Sequence, residues 1–89
     1  MIEAEVTIVN QLGLHMRAAG KFAKLAGTFR SRVNILRDGI TVDGKSIVGI
    51  LTLAASIGTT FVVRTEGEDE REALTALQEL IASKFGEDQ

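Results

Sequence analysis

The apolar residues change period repeatedly along the chain, and that switching most restricts the fold. Ile2, Ala4, Val6 and Ile8 alternate with Glu3, Glu5 and Thr7, the two-residue period of a half-buried strand. Asn10 to Leu14, broken by Gly13, reads as a loop. From Met16 the spacing lengthens: Ala18, Phe22, Leu25, Ala26 and Phe29 recur three or four apart, as on one helix face, with Gly27 placed as a left-handed cap. Val33 and Ile35 alternate again, Asp38-Gly39 predicts a two-residue hairpin turn, and Ile40 to Val42 return as a strand. Ser46 predicts an N-cap for an apolar helix from Ile47 to Ala55, stopped by Gly58. Thr60 to Thr65 form the last strand, with Phe61 and Val63 on one face. Asp69 and Glu72 resemble a capping box opening a final helix. That helix is striped by Ala73, Leu74, Leu77, Leu80 and Ile81 and ended by Gly86.

The order is β-α-β-β-α-β-α. Strands that alternate cleanly have one covered face, so the expectation is an α+β open-faced β-sandwich: a four-stranded antiparallel sheet with three helices on one face. The 89 residues make one domain, residues 1–89. With four Phe and no Trp or Tyr, its core must be aliphatic. The absence of cysteine removes disulfides and thiolate metal sites, and a single histidine makes a transition-metal centre a poor expectation. No cofactor is expected. The opening "MIEAEV" carries acids where a secretory leader carries basic residues, and the longest apolar run falls short of a membrane span. The expected setting is therefore cytoplasmic, without membrane insertion.

Charge is sorted along the chain. Arg17, Lys21, Lys24, Arg30, Arg32, Arg37 and Lys45 face only Asp38 and Asp43 in the central segment, whereas "EGEDERE" makes the last third acidic. At a net charge of −2 this suggests a protein-docking face more than a nucleic-acid surface. Nucleic-acid-binding sheets of this type display stacking aromatics, and no two Phe here form an adjacent strand pair. No nucleic-acid partner is expected.

The only histidine, His15, stands where the loop "NQLGL" turns into the first helix. A lone histidine there can be a simple cap. The same position lies beside backbone N–H groups without helical partners, at the positive end of the helix dipole, where anions bind and a neutral imidazole is favoured over imidazolium. A neutral, nucleophilic ring at a site ready for a phosphoryl group is a coherent unit of chemistry. Arg17, in the first turn, is placed to hold phosphate oxygens, and its cation opposes the dipole unless an anion arrives. Arg17, Lys21 and Lys24 share one helix stripe.

"LGLHMRAA" resembles the active-site signature of the HPr family, the histidine-containing phosphocarriers of the bacterial phosphotransferase system, commonly L-G-L-H-A-R-P-A. "DGKSIVGILTLAASIG" and "EGEDEREAL" resemble the family's later segments in the same order. The resemblance implies a carrier rather than a turnover enzyme. His15 would accept phosphate on Nδ1 from phosphorylated Enzyme I, itself charged by phosphoenolpyruvate, and pass it to sugar-specific IIA domains. Arg17 would neutralise the phosphoryl group. Ser46 matches a serine that HPr kinase/phosphorylase modifies in many relatives, which connects them to transcriptional regulators. Two positions depart from the signature: Ala18 replaces proline, which pre-sets the first helical turn, and Met16 replaces a small alanine.

Ile50 and Leu53 are expected in the core. Ile47, Val48 and Leu51 are the candidates for an exposed docking patch ringed by Arg17, Lys24 and Lys45, with Lys21 on its approach; by resemblance, Enzyme I and IIA domains bind there. A fully buried helix is the competing reading. A carrier that meets two partners in turn is expected to be monomeric. The alternative function is a regulatory module read through its phosphorylation state, without sugar transport.

Overall fold

A computed structural model describes residues 1–89. Strands β1 (Ile2–Thr7), β2 (Arg32–Arg37), β3 (Ile40–Asp43) and β4 (Thr60–Glu66) form one sheet in the order β1-β4-β2-β3, with every neighbouring pair antiparallel. The chain also forms α1 (Met16–Gly27), α2 (Ile47–Leu51) and α3 (Glu70–Ala82), then a 3-10 turn over Lys84–Gly86. The register explains the one-sided core. Val6 lies opposite Phe61, and Val63 lies between Ala4 and Ile35, so the inward side chains make an apolar layer across three strands. Glu3 opposite Arg64 belongs to the other face, where the two side chains pair. The result is the expected α+β open-faced sandwich, with Phe22 of α1, Ile50 of α2 and Leu77 of α3 fully buried against the sheet.

Local chemistry sets the ends of the elements, and it departs from the sequence expectation at several of them. Asp38 (φ 51°) and Gly39 (φ 81°) are both left-handed, as a two-residue hairpin turn requires. Gly27 is no left-handed cap. It lies in the last turn of α1, and Thr28 ends the helix in right-handed geometry, its hydroxyl donating to the Leu25 carbonyl at 2.7 Å. Helix α2 stops at Leu51 instead of Ala55. Thr52 caps it, the backbone tightens into i→i+3 bonds, and Ala54 turns left-handed at φ 49°. This bend drives Leu53 and Ala55 into the core, while Arg37 Nη1 donates to the Leu53 carbonyl. Gly58 serves the turn before β4, its N–H bonded to the Ile8 carbonyl. Helix α3 ends at Ala82, before Gly86.

The expected capping box at Asp69 is absent, because its carboxylate works elsewhere. Asp69 accepts from the Arg30 N–H at 2.9 Å, the Ser31 N–H at 2.9 Å and the Ser31 hydroxyl at 2.5 Å, tying the entry of β2 to the start of α3. The Ser31 hydroxyl, then the Arg30 N–H, hold its carboxyl at about 2, below an ordinary 3.8. A carboxyl lowered by folding stabilises the native state above its unfolded pKa and loses that contribution as pH falls through the folded value. The melting temperature should therefore drop as pH falls from 3.8 towards about 2. Asp69→Asn should melt lower than the parent at neutral pH and show a flatter acid limb. Parallel thermal melts at the two ends of that window check it, and matching slopes would remove Asp69 as the cause.

Candidate functional site

The loop before α1 is fixed by backbone pairing. Asn10 is fully buried, its Nδ2 donates to the Gly13 carbonyl at 2.9 Å, and the Gly13 N–H returns to the Asn10 carbonyl at 3.2 Å. Leu14 is buried, and its N–H reaches the Ala55 carbonyl at 2.8 Å. This turn delivers His15 to the N-cap position of α1 with extended geometry, φ −76° and ψ 179°. Its carbonyl accepts the Ala19 N–H, while its ring nitrogen Nδ1 accepts the Arg17 N–H at 3.2 Å. A histidine thus does the work that Ser or Asp does at most helix starts.

The partners assign the ring's proton. A nitrogen that accepts a backbone N–H carries a lone pair, so Nδ1 is bare and the proton sits on Nε2. Nε2 faces the Glu87 carboxylate at 2.5 Å. Glu87 holds a second bond, from Asn10 Nδ2 at 3.0 Å. The His15 bond, then the Asn10 bond and the charge of Arg17, lower the Glu87 carboxyl below an ordinary 4.5, so it is ionised at neutral pH. His15 is one-quarter exposed, at 26% of its side chain. The arrangement is a bare, accessible nitrogen at the positive end of a helix, with an anion behind the ring.

Arg17 is exposed and its guanidinium has no hydrogen-bond or ion-pair partner within the chain. Lys21 is turned to the last residues, donating to the Phe85 carbonyl at 2.5 Å. Lys24 is exposed, and Lys45 donates to the Phe29 carbonyl at 3.0 Å. Ser46 caps α2 by accepting the Gly49 N–H at 3.1 Å. Beyond it Ile47 is 42% exposed and Val48 74%, whereas Leu51 is half-buried and packs on the core. A Cβ placed on Gly20 would stand 4.0 Å from Ile47 Cδ1, an ordinary contact, so this position faces α2 with room for a methyl group. Met16, one turn before Gly20, is 70% exposed.

The residues missed in the sequence come from its end. Phe85 is fully buried and, with Lys84, left-handed (φ 56° and 60°), which folds residues 84–89 back over the loop. The Gln11 N–H meets the Gln89 backbone oxygen at 2.5 Å, and Leu12, Arg17, Lys21, Glu87 and Asp88 line a crevice beside the histidine. The only sequence signals for this return were the late aromatic and the acids after Gly86.

The model of the family described as "PTS HPr component phosphorylation site" matches residues 2–83. An open-faced sandwich whose one histidine caps α1 places the chain in the class of small phosphocarrier proteins of the phosphotransferase system. The phosphocarrier protein HPr of Cupriavidus necator is 52% identical over 87 residues, 98% of each chain. A crystal structure of HPr-C-His from Thermoanaerobacter tengcongensis superposes with a TM-score of 0.96 at 43% identity over 100% of both chains. An HPr dimer from the same organism gives 0.76 at 42% identity, covering 98% of this chain and 100% of that one. The chain belongs to the HPr family. No helix is long and apolar enough to cross a membrane.

Proposed function

We propose that His15 carries a phosphoryl group on Nδ1, taken from phosphorylated Enzyme I and handed to sugar-specific IIA domains. The observation that carries this reading is the bare Nδ1 at the N-terminus of α1, hydrogen-bonded only to the Arg17 N–H. In transfer, the Nδ1 lone pair forms a bond to phosphorus as the donor's N–P bond breaks and returns its pair to the donor ring. The phosphoryl oxygens then take over the freed N–H groups of the first turn, which are oriented before the reaction begins. Arg17 is free to close on those oxygens. Ile47 and Val48, with part of Leu51, offer the apolar ground for docking, and Arg17, Lys24 and Lys45 supply the surrounding cations. Lys21 contributes from the side of the tail. The carrier acts as a monomer in this reading, because each partner needs the same face in turn.

The test is transfer from phosphoenolpyruvate and Enzyme I, read by intact mass, with the Cupriavidus necator HPr as the control in the same tube. One acid-labile phosphoryl group is expected. A charged control beside an unmodified chain would overturn the carrier reading and leave the regulatory module in the lead.

Ser46 is the proposed regulatory site, modified by HPr kinase/phosphorylase, with transcriptional regulators as the partners that read the modified form. A phosphate on Oγ would stay within reach of the α2 N-terminus while placing about −2 charge beside Ile47 and Val48. Incubation with the kinase and ATP, followed by mass mapping, tests the modification. Ser46→Asp keeps a good N-cap and adds one charge, and should raise the KM for Enzyme I roughly tenfold. Ser46→Ala should leave that KM alone and cost about 1 kcal/mol of stability. An unchanged KM in the aspartate variant would disconnect Ser46 from docking.

A further inference from the structure

We propose that Glu87 is a positioning residue that decides which ring nitrogen of His15 reacts. This rests on the reading that His15 is phosphorylated, and it adds a residue from outside the segments that carry the signature. An imidazole offers two nitrogens, and either can form an N–P bond. Here Nε2 is engaged by the Glu87 carboxylate at 2.5 Å, so its proton is held and its lone pair is unavailable. Only Nδ1 is left, at the helix start, where the phosphoryl oxygens find N–H donors.

The carboxylate is built into place. Its other oxygen is bonded by Asn10 Nδ2, and that side chain is fully buried and anchored to the Gly13 carbonyl. Buried Phe85 pins the segment, Lys21 holds the Phe85 carbonyl, and the Gln11 N–H holds the Gln89 oxygen. Lys84 and Phe85 keep left-handed backbones that non-glycine residues rarely adopt, so native contacts must maintain this path. The charged groups of the crevice beside the ring are Arg17 and Lys21 from α1, and Glu87 and Asp88 from the returning segment, of which Glu87 touches the ring. Arg17 is positioned for the phosphate and Glu87 for the ring. As Nδ1 bonds to phosphorus, the ring gains positive charge while Nε2–H stays against the carboxylate.

Phosphoramidate tests the idea without any protein partner. The Nδ1 lone pair bonds to phosphorus, the reagent's own P–N bond breaks, ammonia leaves, and Nε2 keeps its proton. The wild type, Glu87→Ala and Glu87→Gln would be labelled with 15N-histidine, treated with phosphoramidate, and the isomer assigned from 15N–31P coupling. The wild type should give the Nδ1 isomer. Glu87→Ala should raise the share of the Nε2 isomer about tenfold, the effect of losing one charge-assisted hydrogen bond. Glu87→Gln offers a single oxygen to two donors, Asn10 Nδ2–H and the ring Nε2–H, and should fall between the wild type and the alanine variant. An alanine variant that reacts only at Nδ1, or an Nε2 product from the wild type, would each overturn the proposal. The 15N shifts of the untreated wild type give a check that needs no variant: a proton on Nδ1 instead of Nε2 would also overturn it. A general loss of packing lowers the melting temperature without choosing between ring nitrogens. Failure to accept phosphate from Enzyme I would sink the carrier reading and leave the phosphoramidate result standing.

Discussion

His15→Asn is expected to fold like the parent and to lose phosphoryl acceptance by about a thousandfold or more, the scale on which removal of a nucleophile acts. The two halves of that result come from two jobs done by one ring. As a cap, Nδ1 satisfies the Arg17 N–H, and an asparagine oxygen can do the same at one of the best-ranked N-cap residues. As a nucleophile, the ring has no substitute, since an amide oxygen forms no stable bond to phosphorus. His15→Ala removes both jobs and should cost about 1 kcal/mol more than His15→Asn. That difference corresponds to roughly 4–8 °C in a domain of this size. Both variants leave Glu87 without its imidazole, so the carboxyl moves back up towards its ordinary value, and the pH dependence it contributed below that value fades equally in each. Intact mass after treatment with phosphoenolpyruvate and Enzyme I, beside thermal melts, checks all three proteins. Acid-labile phosphate on His15→Asn would place the acceptor on another residue.

What the sequence shows plainly is whatever a repeating pattern encodes. Alternation at Ile2, Ala4, Val6 and Ile8, the helical spacing after Met16, and Asp38-Gly39 are local signals, and β1, α1 and the β2–β3 hairpin follow them. Ser46 was readable as a cap for the same reason. Asp69 was not, because nothing local distinguishes an aspartate that caps its own helix from one that bonds a serine 38 positions away. The early end of α2 was equally hidden. Apolar residues continue through Leu53, but Leu53 and Ala55 are better buried by a turn than by a longer helix. The site divides along the same line. His15 and Arg17 stand in one contiguous motif, whereas Glu87 reaches the ring only through a backbone reversal at two residues with no preference for it, Lys84 and Phe85. A tertiary contact between the loop and residues 72 positions on has no sequence period to betray it.

Gly13→Ala should be among the most damaging single substitutions in the loops of this fold, because Gly13 is buried. The backbone there is left-handed, at φ 69°, which costs a residue with a Cβ about 1–2 kcal/mol. The new methyl would also stand 2.6 Å from the Ala55 carbonyl oxygen and 2.9 Å from the Ser56 Cα. Those are backbone atoms that cannot rotate away, so the loop itself has to move, at a further cost of roughly 1–3 kcal/mol. The sum, about 3 kcal/mol, is a large share of the 5–15 kcal/mol that holds a small domain together. The shift would not stay local. The same loop holds the Leu14–Ala55 bond, receives Asn10 Nδ2, and sets the entry of His15 onto α1. Gly13→Ala should therefore lower both the melting temperature and the rate of phosphoryl acceptance. His15→Asn should affect the rate alone, which separates loss of the nucleophile from loss of its platform. Denaturant unfolding and single-turnover phosphorylation of the same preparation measure the two effects together. A Gly13→Ala protein with parental stability would show that the loop has room the close contact with Ala55 denies.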